Sequence, residues 1–253
     1  MAARQALRVG TAGWNLPRSV RARFSSAGSV LQQYASRLNA VEINSSFYRL
    51  HLPQTYARWA ADTPSAFQFS VKLPKRVTHV LKLRDVAEEL QTFLAGPREL
   101  GSKFRVLLIQ LPPALEFEPE IARAFFHELR TRTDVAIVCE PRHASWFTSA
   151  AEELLTHSGV SRAAADPAPV PAAADPGGNP RLRYFRLHGS PKMYYSNYSD
   201  EYLDALRTRL ERERSAAEVW CIFDNTAEER AAPNALQLIE PHHFAVGSSA
   251  SLP

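Results

Sequence analysis

The sequence predicts an α/β fold, a single (β/α)8 TIM-like barrel, on three observations. Eight short apolar runs rich in β-branched and aromatic residues alternate with helical patterns, as parallel βαβ units do. The chain of 253 residues has the roughly 250-residue length that eight such units need. Every run is followed at once by polar or charged residues, where a barrel gathers its functional rim. One domain over 1–253 is expected, with a core of 6–240 and a C-terminal tail of 241–253.

The first strand, Leu7–Gly10, runs into Thr11-Ala12-Gly13-Trp14, and Val30, Leu31, Tyr34 and Leu38 recur at helical spacing after it. The second, Ala40–Ile43, carries Glu42 and leads to Asn44; Pro53 then opens a helix with Tyr56, Trp59 and Ala60. The third, Phe67–Val71, ends in Lys72, followed by a stripe of Val86, Leu90, Phe93 and Leu94. The fourth, Val106–Ile109, ends in Gln110, and Ile121, Phe125, Phe126 and Leu129 form the next stripe. The fifth, Val135–Cys139, ends in Glu140-Pro141-Arg142-His143, and Ser145 or Thr148 caps a helix with Leu154 and Leu155. The sixth, Val160–Ala165, is weakly apolar and ends at Asp166. Residues 166–180 hold five prolines and two glycines. They exclude a regular helix, so an irregular loop is expected to replace the crossover helix after strand six. The seventh strand, Leu182–Leu187, ends in His188-Gly189 and precedes a helix with Tyr202, Leu203, Leu206 and Leu210. The eighth, Val219–Phe223, ends in Asp224-Asn225, before Ala235, Leu236, Leu238 and Ile239. An open doubly wound sheet is the alternative, but GTAGWN after strand one lacks the Gly-rich phosphate spacing.

Composition narrows the function. Hydrophobic residues are 45% and charged residues 22%, which suits a packed core and not a disordered chain. Cys139 and Cys221 lie inside apolar runs and read as buried thiols rather than a disulfide framework. No apolar stretch suggests a secretory signal or a membrane span, so a cytoplasmic protein is expected. The net charge of +4 permits an anionic ligand without requiring one.

Barrel closure would bring the strand ends around one cavity. Glu42, Lys72, Glu140, Asp166 and His188 are the catalytic candidates. Trp14, Asn44, Gln110, Arg142, Arg186, Tyr195 and Asn225 are the candidates for holding a ligand. One polar residue after a strand is ordinary turn chemistry; such residues after all eight are the informative feature. In the seventh strand, Tyr184, Arg186 and His188 share one face and Phe185 and Leu187 the other. If the apolar pair faces the helices, the charged pair faces inward.

The chain resembles the domain of unknown function 72 family, the YecE-like proteins. The resemblance is carried by VGTAGW (9–14), VEINSSFYRL (41–50), TPSAFQFSVKLPK (63–75), LLIQLPP (107–113), CEPRHASWF (139–147), YFRLHG (184–189), YYSNYS (194–199) and FDNTAEERAAPNA (223–235). It covers nearly the whole chain and implies a TIM-like barrel, likened in fold to the xylose-isomerase and endonuclease IV type. It brings no established activity. Pro141 stands where the family usually has Phe or a similar residue, and Asp224 where it usually has Asn.

Acid–base chemistry is the expected class, with two carboxylates in different environments trading a proton and arginine forks holding a carboxylate or phosphate. The substrate expected is a small anion such as a sugar phosphate; hydrolase, lyase and isomerase are not distinguished. The alternative is a nucleic-acid binding or processing protein of the endonuclease IV-like type, using the basic segment Lys75, Arg76, His79, Lys82 and Arg84. No cofactor is expected. A divalent metal is the weaker expectation, because Glu42, Glu140, Asp166, His188 and Asp224 are hard ligands but Lys72, Arg142 and Arg186 would repel it. No H-E-x-x-H is present.

Overall fold

A computed structural model describes residues 4–240; the tail expected at 241–253 lies outside them. The strands are β1 (Leu7–Thr11), β2 (Ala40–Ile43), β3 (Gln68–Lys72), β4 (Phe104–Gln110), β5 (Ala136–Glu140), β6 (Val160–Arg162), β7 (Ala164–Asp166), β8 (Gly177–Gly178), β9 (Leu182–Leu187) and β10 (Glu218–Phe223). The helices are α1 (Val30–Ala35), α2 (Pro53–Ala61), α3 (Ala87–Leu94), α4 (Pro119–Arg130), α5 (Ser149–His157), α6 (Asp200–Glu213) and α7 (Ala231–Ile239).

Local chemistry sets the helix starts. Ser29 and Gln32 form a reciprocal capping box on α1, and Thr148 caps α5. Proline opens α2 and α4, where its missing N–H costs no hydrogen bond. Ser199 caps α6, with Asp200 and Glu201 in the first turn, where acids meet the positive end of the helix dipole.

The strands pair in two parallel sheets, β1-β10-β9-β7 and β2-β3-β4-β5-β6-β8, with only β8 antiparallel. The expected single barrel is thus represented by two hydrogen-bonded ladders, and each of the two seams between them has a physical cause. At the first, a Cβ on Gly10 would lie 2.0 Å from the Ala40 carbonyl oxygen, so only glycine permits this approach. Side chains there replace most of the ladder. Tyr34 Oη accepts the Thr11 N–H and donates to the Ala40 carbonyl, both at 2.9 Å. Asn39 accepts the Val9 N–H and donates to the Leu7 carbonyl, also at 2.9 Å. A single bridge, Ala12 to Glu42, joins the strands beyond. At the second seam, the expected sixth strand is split at Ala163. Its first half pairs with β5 and its second with β9, while Ala163 donates to the Cys139 carbonyl at 2.8 Å. Between β7 and β9 the chain forms a 3-10 turn at Pro171–Ala174 and the short β8.

Strand alternation separates two cores. Val41, Val71, Leu107, Ile109, Cys139, Phe185, Leu187, Cys221 and Phe223 pack with the helices. Ala40, Val106, Leu108, Val138, Ala163, Leu182, Tyr184, Trp220 and Ile222 form a second cluster with members from both sheets. Toward the C-terminal strand ends the residues of this inward phase are polar and still buried: Glu42, Lys72, Glu140, Arg186, His188 and Asp224.

Candidate functional site

The inward phase of β9 carries Tyr184 and Arg186 and continues to His188; that of β10 reaches Asp224, of β5 Glu140, of β2 Glu42 and of β3 Ser70 and Lys72. Arg186 is fully buried, as are Glu42, Glu140 and His188. Its guanidinium grips Glu42 through two bonds, Nε to Oε2 at 3.0 Å and Nη2 to Oε1 at 2.7 Å. Nη1 donates to Glu140 at 2.5 Å and Nη2 to Asp224 at 2.9 Å. The Tyr184 hydroxyl lies 3.1 Å from Glu42 Oε2 and 2.9 Å from Ser70 Oγ. Having one proton, it donates to the carboxylate and accepts from the serine.

His188 lies between two acids, with Nδ1 3.1 Å from Asp224 Oδ2 and Nε2 3.1 Å from Glu140 Oε1. Arg142 lies 2.5 Å from Glu140 Oε1, and its own Nε is buried without a partner. Burial alone would raise Glu140, but Arg186, Arg142 and His188 hold it well below the usual carboxylate range. Asp224 is likewise raised by burial and pulled down further by Arg186, His188 and Lys72. Burial opposes the charge on Arg186, and the three carboxylates more than restore it.

Beside this cluster a cavity of about 410 Å³ opens at the C-terminal ends of β2, β3, β4 and β10. Asn44, Lys72, Gln110 and Asp224 form its polar wall, and Phe47, Tyr48, His79, Tyr194, Tyr195, Thr226 and Ala227 complete it. Lys72 Nζ sits 4.3 Å from the centre of the Phe47 ring and makes no ion pair among the described residues. Burial and the Arg186 charge pull its amine down, Glu42, Asp224 and Glu140 pull it back, and it settles at about 8. Asn44 Oδ1 is buried without a hydrogen-bond partner. Lys192 lies 4.1 Å above the Tyr195 ring at the rim.

The structure thus sorts the expected site residues. Asn44, Lys72, Gln110 and Tyr195 line the cavity. Glu42, Glu140, His188 and Arg186 converge behind it, with Arg142 against them. The expectation that Arg186 holds a ligand is corrected, because its donors are spent on three carboxylates. Glu42 and Glu140, read as the proton-trading pair, likewise face Arg186 and not the cavity. Asp166 accepts from the Tyr198 hydroxyl at 2.7 Å and fixes the loop between β9 and α6. Asn225 ties the same loop through Ser196 and Asn234. Trp14 packs edge-on against Trp59, with ring centres 5.0 Å apart. None of these three lines the cavity. Sequence reasoning chose Asn225 for the cavity where the structure places Asp224. Counting the alternation on from Trp220 and Ile222 finds Asp224, since Asn225 falls in the opposite phase. In the basic segment, Arg76 pairs with Glu89, and Arg84 holds both oxygens of Glu118 at 2.8 and 2.7 Å. No group of three or more His, Cys, Asp or Glu among the described residues is arranged to hold a metal ion.

The family model described as "Protein of unknown function DUF72" matches residues 8–250. The chain belongs to the DUF72 family. Within it, the chain is 30% identical over 171 residues to the UPF0759 protein YecE of Escherichia coli (strain K12), a match spanning 65% of this chain and 61% of that protein. It is 23% identical over 262 residues to the UPF0759 protein YunF of Bacillus subtilis (strain 168), 92% of this chain and 93% of that one. A solved DUF72 family protein from Thermotoga maritima superposes with a TM-score of 0.75 at 25% identity, over 93% of this chain and 98% of its own. A xylose isomerase-like TIM barrel/4-hydroxyphenylpyruvate dioxygenase fusion protein shares the fold at a TM-score of 0.53 and 12% identity, over 94% of this chain and 42% of its own. No helix of the described residues is long and apolar enough to cross a membrane.

Proposed function

We propose that the two sheets form one (β/α)8 barrel and that the cavity beside Lys72 is the active site of an acid–base enzyme. Its substrate is a small anion, such as a sugar phosphate. One observation carries the reading: Lys72 is a buried ammonium on a cavity wall, without an ion-pair partner among the described residues. An unpaired buried charge is costly, and an anionic ligand would supply the missing partner. Lys192 at the rim offers a second positive charge for the same ligand.

Asp224 and Lys72 divide the proton chemistry. Asp224 is held ionised, so it serves as the base, and His188 behind it steadies its charge. Lys72, poised at about 8, serves as the acid. Environments that push two titratable groups apart in this way create an acid and a base in one cavity. Arg186, Glu42 and Glu140 are positioning residues in this scheme.

A thermal-unfolding screen against inorganic phosphate, sulfate and phosphorylated sugars tests it. At saturating ligand the midpoint should rise by several degrees, since a ligand at about 100 times its Kd stabilises by about 2.7 kcal/mol. Lys72→Met should abolish the rise. Absence of a shift with every anion in the wild type, or an undiminished shift in Lys72→Met, overturns the reading.

A further inference from the structure

We propose that the Lys72 side-chain amine is a covalent nucleophile that forms a Schiff base with a small hydroxylated aldehyde or ketone held in the cavity. The inference rests on the anion-accepting active site proposed above and names its substrate class.

Three features of the site point to this chemistry. Lys72 sits at the end of β3, held by the sheet with its Nζ against the Phe47 ring and no carboxylate locking it as an ammonium. Desolvation beside another cation, here Arg186, is how proteins free a lysine amine for carbonyl chemistry. With its amine at about 8, roughly a tenth of the molecules carry neutral Lys72 at pH 7, since each pH unit changes the ratio tenfold. Asp224, on the same wall, provides a carboxylate to shuttle the protons. Asn44 Oδ1, also on the wall, is a buried acceptor without a donor, and a substrate hydroxyl satisfies it.

The step balances within these groups. The amine lone pair attacks the carbonyl carbon, and the C=O π pair moves to oxygen. Nitrogen gives one proton to Asp224, which passes it to that oxygen, leaving a neutral carbinolamine. The second nitrogen proton follows the same route to the hydroxyl, the C–O bond breaks, water leaves, Asp224 is again a carboxylate, and the nitrogen lone pair forms C=N.

The test is reductive trapping. The wild-type protein is incubated with sodium cyanoborohydride and either glyceraldehyde 3-phosphate or uncharged glycolaldehyde, and the labelled lysine is mapped by peptide mass spectrometry. The chain has five lysines, Lys72, Lys75, Lys82, Lys103 and Lys192, so each is resolved. Labelling of Lys72 at least ten times faster than the other four, faster with the phosphorylated aldehyde, and suppressed by excess sulfate is the expected result. Labelling spread over the exposed lysines, with Lys72 no faster, overturns the inference. The wild type is the test molecule, so no variant has to fold. If glyceraldehyde 3-phosphate raises the thermal midpoint without labelling Lys72, the covalent step falls and the anion site stands; if it does neither, both fall.

Discussion

Arg186 on β9 and Lys72 on β3 share the inward strand phase and are 0% and 5% exposed. Their surroundings are opposite. Arg186 is bonded to three carboxylates; Lys72 has an aromatic face and open volume. A buried charge with its partners in place is a structural element that becomes a liability when one partner is removed. A buried charge without partners is already a liability, and folds keep such charges where a ligand or a reaction uses them. The contrast teaches that burial and charge together do not mark a functional residue; the count of partners does.

The largest expected effect breaks the Arg186 side of this contrast. Arg186→Met leaves Glu42, Glu140 and Asp224 facing one another without their shared cation. Removing one partner of a buried pair costs about 3–5 kcal/mol, so the urea midpoint at pH 7 should fall sharply. A loss below about 1 kcal/mol would show that the cluster is solvated and not a closed ion network.

Acid titration probes the same cluster. Glu140 and Asp224 have folded-state values below their ordinary ones. The stability they contribute is therefore complete above the unfolded carboxylate range, about 3.9–4.3. It is lost as pH falls through that range toward the folded values. Stability should be level from pH 7 to about 5 and decline below. In Glu140→Gln the slope of that acid limb should flatten, as read from urea midpoints across pH 2–6. An unchanged slope would place the folded-state shift elsewhere.

Lys72 should respond at higher pH, and its charge opposes folding where those of Glu140 and Asp224 support it. Its folded value of about 8 lies below the unfolded value of about 10.4. Over that window the unfolded chain binds more protons, so stability rises with pH and then levels off. At neutral pH the protonated amine opposes folding, and Lys72→Met should stabilise the protein by about 1–3 kcal/mol while removing anion binding. Destabilisation by this change would mean that the ammonium has a partner and that the contrast with Arg186 is false.

The smallest effect sharpens the boundary between the two regions. Ser70 supplies one hydrogen bond to the Tyr184 hydroxyl beside Glu42. Ser70→Ala should cost about 0.5–1.5 kcal/mol and leave the Lys72 response to anions unaltered, measured as the same thermal shift.

The alternation of apolar and polar side chains was sufficient by itself to place β1 to β5, β9 and β10, the helices between them and the inward phase of β9. That phase is a property of single strands, so Arg186 and His188 could be assigned to the interior from local spacing. Glu42, Glu140 and Lys72 were legible as strand-end charges for the same reason. Tertiary structure alone decided how these charges are shared. Three carboxylates from β2, β5 and the end of β10 meet on one guanidinium, and no local pattern encodes a four-body contact between segments so far apart in sequence. It also decided that Asp224 and not Asn225 reaches the cavity, and that Asp166 is spent on Tyr198. The split at Ala163 and the side-chain seam at Gly10 belong to tertiary structure too. Each depends on how closely two sheets approach, a distance set by packing between elements and not by the preference of any one segment.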